Sequence, residues 1–472
     1  MISNNQPLHT KGIWTLLLFS ICFTGWTQRG YEYENFGNRS VLLNGNVTGS
    51  VDDLGAVYYN PARLALIDNP GFLIQGKAYE WNRITIDDVV PGERFRSSNF
   101  AGIPGMLAGS FDLFGTRFFY SSISRNRLNI SLGYNTGVLG NEDYEGISPG
   151  NQANLKLSLN NKLREDWFGL TWAYKIHEGF ALGVSMFGSY LSYSGGDTSR
   201  LTLEESNNQV SIYESNLNFS QTSYGLYFKI AAAWIFPKWE LGVNIDIPYI
   251  EILNDSDFNF DEILATGDTS QDFFILEKLN GLDSKHKTPM GVNVGAGIPI
   301  NGHKIHLNVS WYGPTGVYDR ISIPELGGST GEEAVLLFQE KRRTIFNFGG
   351  GGEFQISPKF ISYLSFTTDF SPLKEADEVL GTSNGIGTSN LLAFDNYHFG
   401  GGFNWKFRKA DLVFGAIYTT GVQEFGFVRD RPINEFIPTK DNFKIGISRW
   451  RFLLGLNLSL RQLFGAEDDD DS

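Results

Sequence analysis

The chain has 472 residues, a formal net charge of −14 and a mean hydropathy of −0.18. Aromatics make up 14% and charged residues only 19% of it, which excludes a disordered chain, and the acidity leaves no basic footprint for nucleic acid. The 54 glycines exceed the usual share of about 7% without a collagen period, and the hydropathy excludes a bundle of membrane helices while leaving room for a β-barrel, which hides its apolar residues by alternation.

At the N-terminus, Lys11 precedes an apolar run from Ile13 to Phe23, followed by Thr24, Gly25 and Thr27. The run falls short of the roughly 20 residues that span a bilayer and suits the core of an export signal. Residues 1–27 are therefore expected to be a signal peptide, cleaved near Thr27 or Gln28. The single cysteine, Cys22, falls inside it, and Phe19 and Ile21 fit a lipoprotein signal poorly. A mature chain without cysteine has no disulfide, thiol nucleophile or thiolate-held metal.

Residues 28–70 lack strand alternation. Ser50 and Asp53 have capping-box spacing, and Asn60 before Pro61 suits an N-cap followed by the first helical position. Two short helices are expected here, placed ahead of a closed barrel as a hatch inside its lumen.

From 71 to 464 the pattern is strand, tight turn, strand, long polar loop. Hairpins are expected at Trp167–Tyr190, Tyr224–Ile250, Met290–Trp311, Phe346–Phe370 and Tyr397–Thr420, with Asn301-Gly302 a strong two-residue turn and Arg408-Lys409 another turn. Stretches near 251–287, 313–341, 371–396 and 422–441 read as long loops. Within strands one face is oily: Ile305, Leu307, Val309 and Trp311 oppose Lys304, His306, Asn308 and Ser310. Strands of about 10 residues suit a tilted crossing, and lipid requires closure, because an open edge would leave backbone groups unpaired. With segments near 72–82, 100–111, 116–125, 127–137 and 154–163, and Phe443–Leu460, the count is about fourteen. The fold class expected is all-β: a transmembrane antiparallel β-barrel of about 14 strands with an N-terminal helical hatch in the lumen. A soluble β-sandwich is the competing fold. The glycine clusters Gly349–Gly352 and Gly400–Gly402 read as relief of crowding or a strand bend. The acidic run 465–472 reads as a solvated, disordered tail.

Sites for chemistry are sparse. His303 and His306, three apart on a strand, face opposite ways, so no metal site is expected. No Gly-x-Ser-x-Gly elbow occurs. His306 with a lumenal serine stays as a minor hydrolase alternative, and Lys304 and Arg461 are lumenal cations able to hold a carboxylate or pair with a neighbour.

The run Ala56-Val57-Tyr58-Tyr59-Asn60-Pro61-Ala62 resembles the N-terminal motif of the FadL/TodX family of outer-membrane hydrophobic-compound transporters. Arg63 departs from the small residue usual there. Ile103 to Phe111, Trp167 to Ile176 and Leu182 to Ser185 are similar to the family's early strands. The resemblance implies a fourteen-stranded barrel with a hatch, and lateral release of ligand through a wall defect near the third strand. It implies transport of long-chain fatty acids or hydrocarbons, with Tyr58, Tyr59, Asn60, Pro61 and Leu64 as hatch and ligand-binding residues. The protein is then not an enzyme and has no cofactor and no metal. It is a monomer in the cell outer membrane of a Gram-negative bacterium, inserted by the barrel assembly machinery. Its partners are a hydrophobic small-molecule ligand and outer-membrane lipid, not nucleic acid. The alternative is the barrel component of a protein secretion or surface-assembly system, binding a protein partner through its acidic loops. A general porin is a third reading.

Overall fold

A computed structural model describes residues 31–458 apart from 33, 68–70, 88–93, 144–146, 268–271, 328–332, 335, 373–394, 408–409 and 427–441. The expected signal peptide, the acidic tail, Arg461, the Arg408-Lys409 turn and most of the loops near 371–396 and 422–441 lie outside the described residues.

The chain forms one closed antiparallel sheet. Strands β1 (Phe72–Asp87), β2 (Arg94–Leu113), β3 (Thr116–Asn135), β4 (Gln152–His177), β5 (Phe180–Glu204) and β6 (Val210–Ile235) pair in sequence. Strand β6 pairs below with β7 (Glu240–Asp246) and above with β8 (Ile250–Ala265), two stretches of one wall strand interrupted at 247–249. Strand β8 then turns into β9 (Phe273–Leu279). The wall resumes with β10 (Gly291–Ile300), paired to β7, and β11 (His303–Tyr312). Four short strands follow in the next loop: β12 (Thr315–Ile321), β13 (Leu326–Gly327), β14 (Glu333–Ala334) and β15 (Phe338–Arg342). The circuit ends with β16 (Ile345–Ser357), β17 (Phe360–Asp369), β18 (Asp395–Lys406), β19 (Ala410–Gly426) and β20 (Asn442–Leu458), and β20 pairs with β1. With β7 and β8 as one, fourteen strands close the barrel. A stacked-sheet sandwich is thereby excluded.

The strands correct the expected length. β4, β5 and β6 have 26, 25 and 26 residues. The segments 116–125 and 127–137 are one strand, β3, and 154–163 joins Trp167–Ile176 in β4. The loop expected near 251–287 contains β8 and β9. Above the apolar band the outward positions turn polar, so alternation no longer marks the strand, yet the ladder continues, as in Asn161↔Gly195 and Thr198↔Asn216. At about 3.3 Å per residue and a 45° tilt, a 26-residue strand rises about 60 Å, twice the thickness of a hydrocarbon core.

Phe168, Trp172, Tyr174, Phe399, Trp405 and Trp450 are exposed on the outer face. Such a belt is stable only against lipid; in water it would aggregate. Among the described residues no helix is long and apolar enough to cross a membrane. The turn at Asn301-Gly302 has φ of 49° and 85°, the left-handed pair that a two-residue hairpin requires.

One wall seam is incomplete. β2 and β3 pair from Leu113↔Thr116 to Met106↔Ile123, and among the described residues no pairing continues beyond. Each strand still pairs on its other side, β2 to Asp87↔Arg94 and β3 to Asn135↔Lys156. A bulge in β3 between Ser124 and Asn126 lies where the two part.

Residues 31–67 fill the lower lumen. They form α1 (Arg39–Leu42), α2 (Ala56–Tyr59) and a 3-10 turn, Pro61–Leu66. Asn60 caps that turn as expected, accepting the N–H of Ala62 at 3.1 Å with Pro61 at the first position. The capping box does not form. Ser50 turns to the wall instead, and Asp53 gathers the N–H groups of Arg39, Ser40 and Gly55 together with the Ser40 hydroxyl. Phe36, Leu42, Leu43, Leu54 and Val57 share a core with Phe187, Tyr363 and Ile417 of the wall. The wall glycines answer to this packing. A Cβ on Gly183 would collide with the backbone of Ala62, and one on Gly349 with Asn46.

Candidate functional site

Above the plug lies a cavity of about 80 Å³. Tyr31 and Tyr58 of the plug form its floor with Arg125 and Asn126 of the β3 bulge. Glu165, Trp167, Tyr227, Lys229, Asp246 and Tyr312 come from the wall, and His286 and Arg342 from the inward-folded loops. These residues meet because inward positions on β3, β4, β6 and β11 converge where β2 and β3 part. The walls are largely aromatic: Trp167 and Tyr227 lie 4.4 Å apart between centroids, Tyr31 and Tyr312 4.0 Å. Lys229 Nζ lies 4.2 Å from the Tyr58 centroid and pairs with Asp246 at 2.6 Å.

The loop strands β12 and β15 close the top. Ile321, Leu326 and Phe338 pack on Tyr193, Phe219 and Phe258 of the upper wall, and Arg320 lies over Tyr193 at 4.1 Å. Burial pushes the Glu340 carboxyl up, but Arg342 and Arg320 outweigh it and hold Glu340 down at about 2. Arg342 also donates to the Tyr31 hydroxyl at 2.8 Å, joining this cover to the plug.

Of the expected site residues, Tyr58 lines the cavity. The Tyr59 hydroxyl accepts the Phe36 N–H at 2.9 Å and donates to Asn35 Oδ1 at 3.1 Å, beside a smaller void of about 20 Å³. Asn60 is fully buried and donates to the carbonyls of Thr48 at 2.7 Å and Ala232 at 3.1 Å, so one side chain ties two plug segments to the wall. Pro61 lies against Gly183, and Leu64 is in the shared core. Asn60, Pro61 and Leu64 are thus placed as plug anchors, away from the cavity. Asn60→Ala is expected to destabilise the plug seat by about 2–3 kcal/mol, from one lost cap and two lost hydrogen bonds. Protease treatment of detergent-solubilised protein should cleave residues 31–67 faster in that variant while the barrel stays folded; equal protection would show that Asn60 is no anchor.

Arg63, where the resembled family has a small residue, donates to the Val51 carbonyl at 2.9 Å and pairs with Glu240 at 3.1 Å, which also holds Lys304 at 3.1 Å. Lys304 is therefore a paired rim cation. Arg39 pairs with both Asp52 and Glu353. Ser50 Oγ is 2.7 Å from His306 Nδ1, and His306 Nε2 is 3.1 Å from Glu353 Oε1. A serine, a histidine and a carboxylate in line invite a nucleophile reading, but Ser50 is 2% exposed and lines none of the described cavities. A hydrolytic serine needs its hydroxyl in a substrate pocket facing oxyanion donors. Here the chain ties plug to wall. His303, in contrast, is at the exposed rim, accepting the Gln355 N–H.

Glu32, in the plug arm, donates its N–H to Asp369 and accepts from the Tyr312 hydroxyl at 3.1 Å. Desolvation and the nearby Asp369 push its carboxyl up to about 7. A free arm would ionise near the ordinary value of about 4.3, so docking of the protonated arm is fully favoured below that value and weakens as pH rises to about 7. Hydrogen exchange at residues 31–36 should be slower at pH 5.5 than at pH 8, and Glu32→Gln should shrink the difference. A pH-independent exchange rate in the unaltered protein, after correction for intrinsic chemistry, would contradict it.

The aromatic walls and the bulge residue were not legible beforehand. Arg125 sits in a Ser-Arg-Asn-Arg stretch resembling a turn, and only the register shift shows that it points inward.

No protein-family model matches the sequence, and no curated protein matches it. Solved structures match the closed fourteen-stranded barrel. A FadL homologue of Pseudomonas aeruginosa aligns over 92% of this chain and 100% of its own, with 12% identity and a TM-score of 0.51. The CymD monoaromatic hydrocarbon channel aligns over 90% and 97%, with 13% identity and a TM-score of 0.52. The toluene transporter TodX of Pseudomonas putida aligns over 92% and 100%, with 13% identity and a TM-score of 0.51. The chain has the FadL/TodX-type fold.

Proposed function

We propose that this protein carries hydrophobic small molecules, of the class of fatty acids or hydrocarbons, across the outer membrane of a Gram-negative bacterium. The observation that carries the reading is the aromatic-walled cavity set between a lumen-filling plug and the seam where β2 and β3 part. A greasy solute gains nothing from a watery channel; a lined pocket opening sideways keeps it out of water throughout. The solute enters beneath the loop cover, rests above Tyr58, and leaves at the lower end of the parted seam, beside Met106 and Ile123, where the outward apolar band begins. At about 80 Å³ the cavity is about half the size of an engineered cavity that admits benzene, so passage requires movement of plug or cover. The named cargoes of the similar structures, toluene and monoaromatic hydrocarbons, agree with this class. Insertion by the barrel assembly machinery as a monomer belongs to the same reading.

Cells lacking the protein should accumulate labelled fatty acid or toluene more slowly than cells carrying it, and liposomes holding the purified protein should not swell with small sugars. Equal accumulation, or swelling at porin rates, would defeat the proposal. The length of β4–β6 favours one second reading: a sheet rising far beyond the bilayer offers a surface to a protein partner. A stoichiometric partner in a crosslinked outer-membrane pull-down, with normal solute uptake, would favour it.

A further inference from the structure

Most charged groups around the cavity are matched. Lys229 holds Asp246, Arg342 holds Glu340, and Glu165 accepts from Trp167 and Asn126. Arg125 differs. It lines the cavity from the β3 bulge and is 7% exposed. Its Nη2 donates to the Tyr31 carbonyl at 3.1 Å, while its Nη1 has no hydrogen-bond acceptor. Among the described residues it forms no ion pair with a carboxylate. The Glu165 carboxylate acts on it through space but spends its hydrogen bonds on Trp167 and Asn126, so the buried Nη1 is left without an acceptor, and the planar fork of the guanidinium matches a carboxylate.

The surroundings define the rest of the ligand. The guanidinium carbon lies 5.4 Å from the Tyr58 ring centroid and 5.6 Å from that of Trp167, and Trp167 faces Tyr227. A flat ring beside the guanidinium would meet aromatic faces and edges on several sides. A single ring needs the walls to part modestly, whereas a long alkyl chain needs plug or cover to move much further.

We propose that this cavity binds a one-ring aromatic carboxylate, its carboxylate on Arg125 and its ring among Tyr58, Trp167 and Tyr227. The inference rests on the transport reading and gives it a substrate class distinct from both neutral hydrocarbons and fatty acids. The position of Arg125 next to the parted seam places the acid group at the threshold of the exit.

The test is equilibrium dialysis of the purified full-length protein in detergent against labelled benzoate, benzamide and toluene. Benzoate should bind at least about tenfold more tightly than benzamide, which has the same ring without the charge. Arg125→Gln should bring that ratio close to one, and Arg125→Lys should retain part of it. Heat-dependent migration in electrophoresis reports that each variant is folded, and the benzoate-to-benzamide ratio of the unaltered protein decides the matter even if a variant fails. Equal affinities in the unaltered protein, or a ratio unchanged by Arg125→Gln, would overturn the inference. Toluene separates the two levels. If toluene binds and benzoate has no advantage, the transport reading stands and the aromatic acid falls. If none of the three binds, the aromatic acid falls, and the transport reading is decided separately by uptake of labelled fatty acid.

Discussion

Glu34→Gln is expected to cost the plugged barrel about 3–5 kcal/mol, the range for breaking a buried ion pair from one side. Glu34 is fully buried in the plug arm, with Oε1 3.2 Å from Arg449 Nη1 and Oε2 2.9 Å from Arg451 Nη1. Arg449 is also 3.5 Å from Glu80. Both arginines are completely buried on β20, the strand that closes the barrel against β1. One carboxylate thus neutralises two cations at successive inward positions and ties the beginning of the described chain to its end. Glutamine keeps the shape and removes the negative charge that both guanidinium groups face. The backbone ladder β20–β1 does not involve Glu34, so the barrel should remain closed while the plug loosens. In a temperature series on the detergent-solubilised protein, the plug should become protease-sensitive well below the temperature at which the barrel loses its compact migration. Coincident and unchanged transitions in the variant would show that the pair is energetically idle.

The sequence carried the architecture well where physics leaves a periodic trace. Lipid demands apolar residues at every second position, so Leu307, Val309 and Trp311 announced a wall strand, and Asn301-Gly302 announced its turn. Asn60-Pro61 announced a capped turn because only certain side chains satisfy the first N–H groups of a helix. What alternation does not mark is a strand with water on its outer face. The upper parts of β4, β5 and β6 therefore read as loops. Ser50 and Asp53 had the spacing of a local cap, but tertiary partners won: His306 took the serine, and four donors from two plug segments took the aspartate. The cavity was hidden for a different reason. Its residues come from strands far apart in the chain, and only barrel closure and the bulge at Arg125 bring them face to face. The glycine clusters were correctly expected to relieve crowding, although what crowds them, Leu42, Leu43 and Asn46 of the plug, appears only in three dimensions.

The seam between β2 and β3 supports the transport proposal most specifically, and it can be closed on purpose. Ser98 on β2 and Ser131 on β3 are exposed and flank the parted region. Each keeps its outer ladder partner, Arg83 for Ser98 and Asn160 for Ser131. The mature chain is expected to contain no other cysteine, so Ser98→Cys with Ser131→Cys can be joined by a bifunctional maleimide carrying a reducible link. The two strands are already anchored on their far sides, so the staple should leave the barrel and plug intact and only prevent the edges from moving apart. The decisive measurement is uptake of labelled toluene or fatty acid by cells whose surface protein has been stapled and then reduced. The account predicts that stapling cuts protein-dependent uptake at least about tenfold and that reduction restores it; uptake undiminished by complete stapling would mean that the solute leaves by another path.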